Sequence, residues 1–424
     1  MIGILLGLAT AQPARGQAAG LDAPAPVGPF LDGVFPPRTP LAPGSSPWEV
    51  VEAFPDLPIA NVLAIVPNPS DDRLYVSSRD GVIVSFENDE QVATSEPFMD
   101  LRDRVAVVSE GGLFGLAFHP AFGTPGSPHE RSFYAYYSSH CPVDAEGDDV
   151  DLGACSPSYP TDPRDGFFDA WLRLSRFQAS WDAVAQVWRG DAGSEEPLLS
   201  IRLYNGGHRG GGPAFGPDGR LYLTIGDQVR YETAQDIVNT LEGGSLRLEV
   251  DVTDHGDGTW SCPPGSHAPR RRFQDVSPNP DEMSGRLYCI PDDNPWLDPN
   301  GGNYEEYFSI GHRNPYRIAL DPVTGFLWSG EVGELTREEI NILQKGGNYG
   351  WPFREGRTTG PREPPALILG SLTDPVIDLE RSEAVALIGG YVYRGAVSRS
   401  SRASTSRVTT SRETSGRSAS TPAP

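Results

Sequence analysis

Lysine is all but missing from this 424-residue chain. Lys345 is the only one, so arginine carries nearly all the positive charge. With 34 Lys+Arg against 57 Asp+Glu the formal net charge is −23. That argues against binding nucleic acid or an anionic membrane surface. The arginine bias matches GC-rich coding and carries no functional signal. No long stretch keeps helical periodicity, which argues against an α-helical architecture. The apolar run Met1–Ala9 is too short to span a bilayer. Cysteine is scarce too, at four residues, and neither Cys141/Cys155 nor Cys262/Cys289 has the CxxC spacing of a zinc site.

Glycine and proline, 48 and 41 residues, are abundant and favour many short strands joined by turns. The start of the chain, residues 1–19, resembles the apolar core and cleavage zone of a secretory signal without its basic leader. Behind an export signal an even number of cysteines implies disulfides. Of the three possible pairings the local one, Cys141–Cys155 and Cys262–Cys289, is the expectation, with a periplasmic or secreted location. Residues 20–46 read as a Pro/Ala-rich arm.

From Trp48 one theme recurs: an apolar strand, a Pro-containing turn, then a strand rich in Tyr, Leu and Val. The instances are Val62–Val66 with Arg73–Ser77 and Gly81–Phe86, Gly112–Phe118 with Ser132–Tyr137, the two halves of Phe215–Asp227, and Arg317–Leu320 with Phe326–Trp328. Repeated antiparallel sheets of this kind imply an all-β propeller spanning residues 47–395. A β-sandwich would supply similar strands without repeating the turn signature. Two segments interrupt the theme. His140–Phe168 carries Asp144, Glu146, Asp148, Asp149 and Asp151 and reads as a solvated acidic loop, because its spacing does not fit the EF-hand calcium template. Asp254–Asn294 reads as a long loop across one end of the propeller. Residues 396–424, almost entirely Ser, Thr, Arg and Ala, lack the apolar side chains to fold alone and are expected to be disordered. A Ser/Thr-rich linker and a reading-frame shift both account for such a tail.

The stretch Asn205–Asp227 concentrates the chemistry. His208 lies among five glycines, which permit positive φ and close approach of a ligand. A Pro-Asp-Gly turn and a short strand then lead to Asp227. A titratable base on a loop and a carboxylate at the end of the adjoining strand are thus joined by rigid sheet.

Five segments occur in a telling order: Glu110–Pro120, His208–Asp227, Gly311–Pro315, Gly333–Asn341 and Lys345–Pro352. In these motifs, over roughly residues 48–395, the chain resembles the soluble glucose/sorbosone dehydrogenases, which depend on pyrroloquinoline quinone (PQQ). The resemblance implies a six-bladed propeller, incomplete here at the C-terminus because no further blade is recognisable after Gly395. It implies oxidation of an aldose sugar at the anomeric carbon, with His208 as general base, Asp227 supporting it and Arg313 stabilising developing negative charge. Glu110, His208, Arg313, Asn314 and Arg394 fall at cofactor-contact positions. Calcium is implied at two places, against PQQ through backbone carbonyls at Gly333 and Glu334, and near Glu338, Glu339 and Tyr349. The partner is a small-molecule sugar. A homodimer is left open, and the electron acceptor and preferred sugar are not legible. A non-catalytic extracellular ligand-binding propeller is the competing reading, favoured by the early end of the family pattern. A lactonase-type propeller is a third.

Overall fold

The computed structural model describes residues 53–140 except 108, 170–271 except 204, 205 and 258, 288–392, and the backbone of 407–410. Expectations on residues 1–19 and 20–46, the Cys141–Cys155 pair, the acidic segment after His140 and Arg394 lie outside these.

The architecture is nearly all β. Four antiparallel four-stranded blades follow one another along the chain. The first is Val62–Pro67, Arg73–Ser78, Val82–Glu87 and Glu96–Asp100. The second is Leu113–Phe118, Ser132–His140, Ala170–Asp182 and Val187–Arg202. The third comprises Gly211–Phe215, Leu221–Ile225, Gly244–Leu248 and Tyr307–Ile310, extended by the two short parallel strands Gly347–Asn348 and Ser371–Leu372. The fourth is Pro315–Leu320, Leu327–Glu331, Arg337–Ile342 and Ile377–Glu380. A fifth sheet begins with Leu387–Tyr391. Four residues of the tail expected to lack order, Arg407–Thr410, pair with it. A strand edge with unpaired amides accepts such a partner readily.

Alternation explains how the blades stack. Successive strand residues point to opposite faces. Along Ser132–His140, Phe133, Ala135 and Tyr137 enter a core shared with the first blade. Tyr134 and Tyr136 enter one shared with the third. Two further cores join the third blade to the fourth, around Tyr222, Phe308 and Leu327, and the fourth to the fifth sheet, around Trp328, Ile340 and Leu387. Burying a Phe in such a seam contributes about 1.5–3 kcal/mol.

Several glycines near His208 make room for the protein's own backbone. A Cβ on Gly211 would lie 2.0 Å from the Tyr316 carbonyl oxygen, and one on Gly226 2.2 Å from that of His208. The innermost strands therefore meet main chain to main chain. The segment Asp254–Asn294, expected as a loop, instead carries two small sheets in its described part, Thr253–Asp254 with Trp260–Ser261 and Ser266–His267 with Ile290–Pro291. The Cys262–Cys289 disulfide ties them together with Cα atoms 5.9 Å apart. Backbone pairing satisfies polar groups that an irregular loop would leave to water. Among the described residues no helix is long and apolar enough to cross a membrane.

Candidate active site

His208 and Asp227 occupy the two open ends of the inner hairpin of the third blade. His208 precedes Gly211–Phe215, Asp227 follows Leu221–Ile225, and the pairing of Gly211 with Thr224 brings those ends side by side. His208 Nδ1 lies 2.5 Å from Asp227 Oδ1. The same oxygen accepts the Val229 N–H at 2.8 Å, and Oδ2 accepts the Trp351 indole N–H at 2.7 Å. An ionised carboxylate only accepts, so Nδ1 carries a proton here, and in the neutral form of the ring the lone pair lies on Nε2. Nε2 makes no hydrogen bond among the described residues.

The main chain of His208 is held at φ +56°. Its N–H donates to Glu110 Oε2 at 2.7 Å, and Asn314 Nδ2 donates to the same oxygen at 3.4 Å. Asn314 Oδ1 in turn accepts the Gly210 N–H at 3.2 Å. Arg313 joins from the fourth blade: its carbonyl accepts the Asp227 N–H at 2.8 Å, and its own N–H donates to Glu331. The guanidinium donates from NH1 to Val332 O at 3.0 Å and lies 5.5 Å from the centre of the Trp351 ring. Its Nε is buried without a hydrogen-bond partner. His208, Asp227, Glu110, Arg313 and Asn314 thus form one connected cluster drawn from three blades.

Trp351 is the residue that sequence reading misses, although it lies inside the Lys345–Pro352 motif. A buried indole needs a partner for its N–H. Here the partner is Asp227, and Arg313 stacks on the ring. Beyond it Tyr231 packs 5.5 Å from Trp351, with the Arg362 guanidinium 4.0 Å from the Tyr231 ring centre. The Tyr231 hydroxyl donates to Glu334 Oε1 at 2.6 Å, and this bond, with some burial, raises the phenol above its ordinary range.

The expected calcium positions divide into two cases. At Gly333–Arg337 the amides of Glu334, Leu335, Thr336 and Arg337 all donate to Glu355 Oε1. No described group donates to the carbonyl oxygens of Gly333 or Glu334, which leaves both able to act as ligands. Glu338, Glu339 and Tyr349 do not assemble in this way. Glu338 and Glu339 are neighbours on one strand and point to opposite faces. Glu338 pairs with Arg381 and accepts the Leu387 N–H at 2.8 Å. Glu339 accepts the Gly356 N–H at 2.5 Å and Asn341 Nδ2 at 3.1 Å. Burial, with Glu331 nearby, pushes the Glu339 carboxyl up to about 8, and burial pushes Glu338 to about 7. Tyr349 spends its hydroxyl on Ile342 O. These three residues do not fit one shared ion.

A second imidazole cluster lies between the second and third blades. His119 Nε2 is 2.7 Å from Asp251 Oδ1, His129 Nε2 is 3.5 Å from it, and the two rings stack at 4.3 Å. Their spacing suits a metal ion. Yet the Ala121 N–H donates to His119 Nδ1 at 3.1 Å, which puts the ring proton on Nε2. A metal at Nε2 would force that proton onto Nδ1, against another donor. The cluster shares no residue with the His208 site.

A family model described as Glucose / Sorbosone dehydrogenase matches residues 59–258 and 285–397. The HIPL2 protein of Arabidopsis thaliana is 28% identical over 334 residues, covering 72% of this chain and 43% of that protein. Quinoprotein glucose dehydrogenase B of Acinetobacter calcoaceticus is 32% identical over 146 residues, 34% of this chain and 26% of that protein. The chain spans less than half the length of these curated relatives. A crystal structure of a glucose dehydrogenase superposes with a TM-score of 0.51 at 20% identity, covering 80% of this chain and 77% of that one, a likeness of fold. With its strand order and site motifs inside the matched residues, the chain belongs to the glucose/sorbosone dehydrogenase family.

Proposed function

We propose that this chain oxidises an aldose sugar at its anomeric carbon, with His208 as the general base. The observation that carries this reading is the placement of the His208 ring, with Nδ1 bonded to Asp227 and Nε2 without a partner among the described residues. A neutral imidazole held in this way takes the proton of the anomeric hydroxyl on Nε2 while hydride leaves the same carbon, giving the lactone. Asp227 then faces an imidazolium and stabilises it. Its bonds to Val229 and Trp351 keep the carboxylate from swinging away as the charge develops.

PQQ, when bound, supplies the hydride acceptor. The unpartnered buried Nε of Arg313 supports an anionic group of this kind, since a buried donor without an acceptor is costly. The relative named a quinoprotein supports it as well. Arg313 and Asn314 would hold the quinone edge beside Glu110, and Arg394 would add a second cation. Calcium would sit against the Gly333 and Glu334 carbonyls. The Cys262–Cys289 disulfide supports export to an oxidising compartment, periplasmic or extracellular.

Spectral titration of the purified chain with PQQ and calcium, followed by glucose with an artificial electron acceptor, tests the reading. Expected are saturable PQQ binding and lactone formation. Binding without turnover would replace this reading with that of a ligand-binding propeller, and no PQQ binding at all would remove the quinoprotein assignment.

A further inference from the structure

The turn that carries Asp227 is the most strained piece of backbone at the site. Gln228 and Val229 both adopt left-handed φ, +49° and +62°. For a β-branched residue such as valine this is a steric outlier, and such strain persists only where the surroundings over-determine it. Here the surroundings converge on one carboxylate. Glu242 is buried, and its Oε1 accepts Gln228 Nε2 at 3.0 Å and Arg230 NH2 at 2.6 Å. The residues on either side of Val229 are therefore tied to one oxygen. The turn's own bonds are the Arg230 N–H to Asp227 O at 2.8 Å and the Val229 N–H to Asp227 Oδ1. Thr233 Oγ1 also donates to Asp227 O, at 3.1 Å.

Glu242 stands on firm ground. Its carbonyl accepts the Tyr307 hydroxyl at 2.8 Å, and the next amide, Gly243 N–H, donates to Gly226 O at 3.0 Å. Burial raises the Glu242 carboxyl to about 7, and Arg230 opposes that rise. Placing a buried acid here is costly unless it is paired. It touches neither His208 nor any group expected to meet sugar.

We propose that Glu242 is a positioning residue: by clamping Gln228 and Arg230 it holds Asp227 at hydrogen-bonding distance from His208. The proposal rests on His208 as the base, and its test has one readout that does not depend on turnover. In the full chain without cofactor, the imidazole Nδ1–H of His208 bonded to Asp227 should give a low-field proton resonance, assigned by its loss in His208→Ala. Glu242→Ala should broaden or abolish that resonance. Glu306→Gln, which alters another buried acid bonded to Tyr288, should leave it in place. In the PQQ- and calcium-loaded chain, Glu242→Ala should lower kcat by about 10²-fold with KM nearly unchanged, the scale of a misplaced catalytic group. Glu242→Gln, which keeps one oxygen for both donors but loses the charge that faces Arg230, should fall between.

If Glu242→Ala does not fold, Gln228→Leu removes one tie at similar size and should weaken the same resonance. A resonance unchanged in whichever of these variants folds overturns the proposal. Its loss alongside a wild-type chain that never oxidises sugar leaves the clamp standing and sinks the catalytic reading instead.

Discussion

Two histidine–carboxylate pairs of similar length sit in neighbouring parts of this molecule. His208 meets Asp227 at 2.5 Å, and His119 meets Asp251 at 2.7 Å. Their carboxylates differ: the Asp227 side chain is 1% exposed and the Asp251 side chain 47%. Their distal nitrogens differ more. His119 has spent Nδ1 on the Ala121 amide, whereas His208 Nε2 has no partner among the described residues. His312 follows His119, with Nδ1 on Glu331 at 2.7 Å and Nε2 on Ser309 at 2.9 Å. A carboxylate beside an imidazole is thus no mark of a base. The mark is a ring whose first nitrogen is hydrogen-bonded to a buried carboxylate while the second is left without a partner.

The largest effect expected from this contrast is on turnover. With PQQ, calcium and a dye acceptor, His208→Ala should lose about 10²–10⁴-fold in sugar oxidation, the usual worth of general-base catalysis, while His119→Ala stays within a few-fold of wild type. Equal losses in the two variants would erase the distinction. Asp227→Asn should come next. An amide can present a donor to Nδ1 and so favour the wrong tautomer, lowering kcat by about 10³-fold with KM little changed. Retention of full kcat would mean that the carboxylate only packs.

Arg313→Lys keeps the charge but loses the flat face on Trp351 and the fixed fork of donors. PQQ affinity, read by spectral titration, should fall by about tenfold. An unaltered affinity would detach Arg313 from the cofactor.

The smallest effect belongs to the His119 cluster and is one of stability. Burial, then the neighbouring His119, lowers the His129 imidazole from 6.5 to about 4, although Asp251 opposes the shift and Arg176 adds to it. Below pH 6.5 the unfolded chain takes up this proton and the folded chain does not. Stability from this group is therefore full above 6.5 and is lost as pH falls toward 4. His129→Phe should flatten the fall in melting temperature over that window. A slope identical to wild type would remove His129 from the acid response.

Much of the propeller is legible in the amino-acid sequence. Arg73–Ser77, Gly112–Phe118 and Phe215–Asp227 combine short apolar runs with turn residues at fixed offsets, and strands form there. The long outer strands Ala170–Asp182 and Val187–Arg202 are harder to read. Arginine, serine and glutamate interrupt their apolar positions, and their pairing partners stabilise them more than local propensity does. At the site, motif order brings out His208, Asp227, Arg313, Asn314 and Glu110. The left-handed backbone of His208, Gln228 and Val229 is invisible to propensity, because it exists only under tertiary constraint. The expectation of a joint calcium site at Glu338 and Glu339 runs against strand alternation, which separates adjacent side chains.

The double duty of Ser132–His140 also bears on how this sequence can change over evolutionary time. Phe133, Ala135 and Tyr137 serve one seam, and Tyr134 and Tyr136 serve the other. Inserting or deleting one residue would exchange the two sets and spoil both seams at once. Such a strand can drift by substitution but not by length, and relatives aligned through it should keep their spacing where surrounding loops do not. It is a ruler against which the length changes of the rest of the chain can be measured.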